Sequence, residues 1–420
     1  MELYKANILY SRSFDEMVVF NDSCIAVEDG KVEGIYESVP DKFKNVKVND
    51  YSGKTIIPAF SDLHVHAPQY EQRGMGMDLL LEDWLNTYTF PEEAKYKDID
   101  YAKAVYDRFS DDLVKNGTFH AVCFATIHRE ATEYLVKNLE ERGIRSFVGK
   151  VNMDTSSPSF LCETISESLT ETEAFIEHTA CNRFSKPILM PRFTPVCSQR
   201  LLEGLGKLGR KYHVGLHTHL VESIWEEETA RKLFPSFSCD TEVYEALGLM
   251  DNGPVIGAHF IFPSENDIRI LKKHGGCAVH CPEATVNVIA GIMRVSYLHE
   301  RGINLAIGTD VGAAPSVKVY RQIAEAVRLS KIKNFYEGEG SPSISFENAF
   351  YMATKGASSV FENTGSFDKG CDFDALVIDD LSDEQRRLTP QQNIERFCYC
   401  GDERDICAGF IRGKKNNLQG

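Results

Sequence analysis

No C-x-x-C pair occurs anywhere in the 420 residues, no apolar run approaches the roughly 18 to 20 residues that span a bilayer, and 46 basic residues face 62 acidic ones. Each shortage excludes something. Without paired cysteine spacing, the 12 cysteines read as reduced, buried small hydrophobes, and metal chemistry has to come from histidine and carboxylate. The net charge of −16 repels phosphate backbones, which argues against nucleic acid as a partner. The missing apolar span argues against a membrane protein. The opening Met1-Glu2-Leu3-Tyr4-Lys5 lacks the basic, apolar, small-residue order of a signal peptide, so a cytoplasmic chain is expected. There is no internal repeat and no low-complexity linker. What is present is 43% hydrophobic residues, enough for a large core and too many for disorder.

The two ends alternate like β-structure. Cys24 to Val27 and Lys31 to Ile35 flank Asp29-Gly30, a strong type I′ hairpin signal, and Ala375 to Ile378 and Ile406 to Ile411 read as buried strands. Between them, helical periodicity marks Tyr101 to Lys115, Glu130 to Glu141, Glu163 to Ile176, Arg200 to Lys211 and Val317 to Lys331. Eight short apolar runs alternate with helix-like segments: 55–60, 119–127, 146–153, 187–193, 214–219, 254–262, 277–280 and 304–308. This pattern predicts an α/β fold, a closed (β/α)8 TIM-like barrel over residues 58–365. Residues 1–57 and 366–420 are expected to pair as an accessory β-sandwich domain.

In such a barrel, chemistry sits at the C-terminal ends of strands. The first run leads into Asp62-Leu63-His64-Val65-His66, where the strand period puts both imidazoles on one face. The fifth ends in His217-Thr218-His219-Leu220-Val221-Glu222, the sixth carries His259, the seventh His280-Cys281-Pro282 and the eighth Gly308-Thr309-Asp310. One histidine in an apolar strand is more often packed than ligating. Five strand ends bringing histidine or aspartate to one rim point to a metal, and three neutral imidazoles with one carboxylate suit zinc, or Fe2+ as a substitute. The period cannot choose between His217 and His219. Glu222 could equally be an ordinary first-turn acid, and His280 reads as a packed group.

These residues resemble the amidohydrolase superfamily, through Pro58-Ala59-Phe60-Ser61-Asp62-Leu63-His64-Val65-His66. Within it the chain resembles the guanine deaminase family. The matching segments are Ala67-Pro68-Gln69-Tyr70, Trp84 to Glu93 (W-L-N-T-Y-T-F-P-E-E), Asn116-Gly117-Thr118, Phe124 to His128, Phe147 to Val151, Pro191-Arg192-Phe193 and Gly308 to Val311. Two departures are visible: Glu283-Ala284-Thr285-Val286 follows His280-Cys281-Pro282, and Phe260 stands where the family tends to have glycine. Both are expected to alter the pocket wall.

The resemblance implies one zinc held by His64, His66, His219 and Asp310. It selects His219 as lying three residues before the glutamate. It implies Glu222 as the proton carrier, His259 as the group that steadies the attacked centre, and Asp310 as an acceptor for the attacking water. Substrate contacts are expected at Gln69, Trp84, Arg192, Phe193 and His219. Arg192 carries only donors, suited to a purine carbonyl, and Phe193 either covers a flat ring or points into packing. The implied reaction converts guanine and water to xanthine and ammonia in a homodimer. Lys150 could in principle bridge a second metal, which the one-metal resemblance disfavours. Two rivals stand beside this reading: a sister hydrolase acting on another aminated or halogenated heterocycle, and a scaffold that kept the barrel and lost its metal. The scaffold route normally deletes ligands, and here all are present.

Overall fold

Asp29 and Gly30 both take positive φ, 51° and 78°, the type I′ geometry expected of that dipeptide. Their turn lies in a run of strands that opens the chain: β1 (Glu2–Ser13), β2 (Glu16–Glu28), β3 (Lys31–Tyr36) and β4 (Val48–Pro58). Three strands from the other end, Ala375–Ile378, Ile406–Ile411 and Lys414–Asn416, extend the same sheet beyond β4. The computed structural model describes every residue except 341, 384, 417, 419 and 420, and the side chain of Glu339. Four of those positions fall in the segment expected to complete the accessory domain and lie outside the described residues.

The expected β-sandwich is corrected to one continuous seven-stranded sheet. Register shifts at Ala6/Ile8 and Lys5/Asn7 interrupt the pairing of β1 with β2 and β4, and such irregularities bend a sheet. The sheet rolls over its own core, so that Tyr4 of β1 meets Phe373 and Phe410 with ring centroids at 4.6 and 4.9 Å.

The run 55–60 divides differently from its sequence reading. Ile56 and Ile57 belong to β4, paired with Val377 and Leu376, and the next layer begins at β5 (Phe60–His66). Both stretches are buried, so hydrophobicity shows no break between them. Hydrogen bonds make the break: Ala59 N–H reaches the Asp374 carbonyl at 2.9 Å, whereas Phe60 N–H reaches Gly117 at 3.0 Å.

After β5 come β6 (Thr118–Phe124), β7 (Arg145–Gly149), β8 (Val151–Asn152), β9 (Ser185–Pro187), β10 (Met190–Pro191), β11 (Leu216–Leu220), β12 (Val255–His259), β13 (Cys277–His280) and β14 (Asn304–Ile307). The runs 146–153 and 187–193 are therefore each broken in two. Strands β5, β6, β7 and β9 form one parallel sheet, β11 to β14 another, and β8 pairs with β10. Leu189 joins the two sheets, donating to Gly215 and accepting from His217, both at 2.9 Å. At the opposite edge Asp310 N–H donates to the His64 carbonyl at 2.8 Å and His66 N–H to Val311 at 2.9 Å. A Cβ on Gly308 would sit 2.8 Å from the Cβ of His64 and 2.9 Å from its backbone nitrogen, so only glycine lets the last strand pass the first histidine this closely.

The expected helices form at Ile99–Lys115, Arg129–Glu141, Ile165–Thr179, Gln199–Tyr212 and Val319–Glu337. Several starts are set by caps that periodicity does not register: Asp98, Thr164 with Glu167, and Ser198 accept backbone N–H groups of the first turn. All 12 cysteines are free, and Cys181, Cys400 and Cys407 are exposed, which corrects the expectation that the thiols are uniformly buried. Among the described residues no helix is long and apolar enough to cross a membrane.

Candidate active site

His64 and His66 leave β5 on the same face, His219 projects from β11, and Asp310 follows β14. One ligand atom from each lies within 4.8 Å of the others, and all four residues are buried. His66 Nε2 is 3.1 Å from His219 Nε2 and 3.3 Å from Asp310 Oδ1, and His64 Nε2 is 3.2 Å from the same carboxylate oxygen.

Following the protons shows what these nitrogens present. His217 Nδ1 faces the Ile256 carbonyl at 3.1 Å, and a carbonyl only accepts, so the proton sits on Nδ1. His217 Nε2 then accepts from His64 Nδ1 at 2.8 Å, leaving a lone pair on His64 Nε2. His219 Nδ1 donates to the Arg192 carbonyl at 2.8 Å, leaving its lone pair on Nε2. Burial first, and neighbouring positive charge second, hold all three imidazoles well below their ordinary pKa, hence neutral. Among the described residues His64 Nε2 has no hydrogen-bond partner. Two lone pairs cannot bond each other, and a cation shared with Asp310 satisfies all of them. The donor set fits a divalent ion that takes nitrogen and oxygen.

Glu222 stands beside this cluster with its Oε1 3.6 Å from His259 Nε2, which is 3.8 Å from Asp310 Oδ2. Among the described residues neither ring nitrogen of His259 has a hydrogen-bond partner. Burial, and then the charge of Asp310, raise the Glu222 carboxyl to about 8; burial raises Asp310 to about 6. Val221, His259, Phe260 and Asp310 all take positive φ, between 47° and 71°. Such residues cost about 1–3 kcal/mol each and a β-branched valine is a clear outlier, so backbone strain is concentrated at these strand ends. The Val221 carbonyl is pinned by the N–H groups of Ile261 and Phe262 at 3.0 and 3.2 Å.

A cavity of about 800 Å³ opens over the cluster, lined by His66, His219, Glu222, His259 and Asp310 at its floor and by Gln69, Trp84, Arg192 and Phe193 on its walls. Phe193 lines the cavity, 6.3 Å from the His219 ring and 6.2 Å from Trp225, and also packs against the core. Neither Phe260 nor Glu283, Ala284, Thr285 and Val286 line it, so the two departures do not form the pocket wall as expected; Val288, Ile289 and Ala290 beyond them do. Lys150 is tied to Glu163 at 2.5 Å. His280 is buried, and its imidazole is pushed down to about 3 by burial and the charge of His259. A separate cavity of about 910 Å³ near Arg142, Arg183 and Arg412 contains none of these histidines.

Sequence reasoning assigned nothing to Glu93 or Trp225, both of which the fold brings to this region. Glu93 stood there only as the last residue of the matching segment Trp84 to Glu93. Trp225, one of only two tryptophans, stands three residues past Glu222.

A family model described as the amidohydrolase family matches residues 55–415. The guanine deaminases of Dictyostelium discoideum and Homo sapiens are 32% and 31% identical to the chain, covering 99% and 98% of it and 98% and 96% of those proteins. The chain belongs to the amidohydrolase family, in its guanine deaminase branch. This amidohydrolase is thus a metal-dependent hydrolase. A solved structure of guanine deaminase from C. acetobutylicum with guanine bound in its active site superposes with a TM-score of 0.96 at 40% identity, covering 99% of this chain and 100% of that one.

Proposed function

We propose that the chain hydrolyses guanine to xanthine and ammonia. The observation that carries this reading is the convergence of His64, His66, His219 and Asp310 beneath a cavity walled by Arg192, Gln69 and Phe193, in a chain similar over its full length to a protein crystallised with guanine. His64, His66, His219 and Asp310 would hold one divalent ion, zinc before Fe2+. When bound, that ion supplies Lewis acidity, which brings the pKa of water to about 7.

The chain's own groups do the rest. Glu222, raised to about 8, sits near the working pH and can take the proton of the attacking water and return it to a ring nitrogen beside C2. Asp310 accepts a hydrogen bond that aims the water, and His259, whose nitrogens are otherwise unpartnered, donates to oxygen at the attacked carbon. Arg192 presents donors to guanine O6, Phe193 and Trp84 flank the flat base, and Gln69 and His219 complete the edge contacts. A closed eight-stranded barrel over residues 58–365 carries these groups, supported by the hydrogen bonds of Leu189 and His64 that link the two parallel sheets. Residues 1–57 and 366–420 form the accessory unit. A cytoplasmic homodimer completes the reading.

Ammonia release from guanine, adenine, 8-oxoguanine and cytosine tests it. Turnover of guanine with adenine slower by about 10⁴-fold is expected, because a site built to bond a carbonyl strands its own donors against an amine. Equal turnover of adenine, or none of guanine, would overturn the reading.

A further inference from the structure

Glu93 is 2% exposed, and its two carboxylate oxygens serve different partners. Oε1 accepts from Gln69 Nε2 at 2.9 Å, and Oε2 accepts from Arg192 Nη1 at 2.6 Å. Gln69 in turn accepts the backbone N–H of Gly312 through its Oε1 at 3.2 Å. Each contact has a fixed sense, since a carboxylate only accepts and a backbone N–H only donates. The Gln69 amide therefore cannot flip, and it offers the cavity one N–H and one lone pair in a set order. Arg192 is fixed likewise: Glu93 holds its Nη1, the Phe90 ring lies 5.5 Å away, and among the described residues its remaining donors meet no acceptor. The segment that delivers Glu93 is itself anchored, with Thr89 accepting from Gln72 at 2.9 Å. A buried guanidinium is stable only when paired, and Glu93 is the acid within salt-bridge distance of it among the described residues.

We propose that Glu93 is the positioning residue of the base-recognition wall. One carboxylate sets the hydrogen-bond polarity of both Gln69 and Arg192, and so lets the pocket select a purine carrying a carbonyl at C6. This deepens the guanine reading and rests on it.

The test compares guanine with 2-aminopurine, which keeps the C2 amine and lacks O6. In Glu93→Gln the new amide turns a donor toward Gln69 or Arg192. KM for guanine should rise at least about 30-fold with kcat within about threefold, the inhibition constant of 2-aminopurine should stay within about threefold, and metal content should be unchanged. A rise of both constants together would mark a merely structural residue and overturn the proposal, as would no change in either. If Glu93→Gln does not fold, Glu93→Asp, which keeps the charge and withdraws it by one methylene, is read against the same two constants. Arg192→Leu separates the two ideas. If it alone shifts the ratio of the constants, Glu93 does not position the wall; if neither variant shifts it, the guanine pose itself has failed.

Discussion

His217 does not line the cavity over the histidine cluster, yet its hydrogen bond decides which nitrogen of His64 keeps a free lone pair. Replacing it with alanine removes the acceptor 2.8 Å from His64 Nδ1 and leaves that N–H buried without a partner. An unpaired buried donor costs about 1–3 kcal/mol, which at about 1.4 kcal/mol per tenfold becomes about a 5- to 150-fold loss of metal affinity. The usual effect of deleting an outer hydrogen-bond partner of a metal ligand, about 10- to 100-fold, falls in the same range. His217→Gln puts an amide oxygen near the lost Nε2 and should recover most of the affinity. His219→Ala, which removes a proposed ligand outright, should not retain stoichiometric metal after desalting. The assay is competition with a chromophoric chelator, with metal content measured alongside. If His217→Ala loses metal as completely as His219→Ala, or binds it as tightly as the parent, His217 does not orient His64 and the proton assignment is wrong.

Two further outcomes are expected. Glu222→Gln should keep its metal while guanine turnover falls by about 10² to 10⁴, the range of general acid–base catalysis; near-normal turnover would remove Glu222 from the mechanism. Glu226→Gln should stabilise the protein at high pH. Burial, and then the charge of Asp240, hold the Glu226 carboxyl well above its ordinary range, so folding takes up a proton and stability is lost as pH rises above about 4.3, the unfolded value. The glutamine variant should melt higher than the parent near pH 8, about equally near pH 4, and a difference that is the same at both pH values would refute the shift.

The sequence by itself determined the metal chemistry. Histidine and aspartate stand at fixed offsets from strand ends, and the strand period alone aims His64 and His66 together; the Asp29-Gly30 turn was equally legible, since only residues tolerant of positive φ suit it. The tertiary structure decided what depends on contacts between distant segments. The terminal strands could be found from their alternation, but whether they make two sheets or one rolled sheet depends on bulges that periodicity does not register. Both His217 and His219 turn Nδ1 to a carbonyl, Ile256 for one and Arg192 for the other; what separates them is Nε2, which meets His64 Nδ1 in His217 and faces the cluster in His219. Glu93 lies 24 residues from Gln69 and 99 from Arg192. A buried charge is tolerated only beside its partner, and only folding brings those three side chains together.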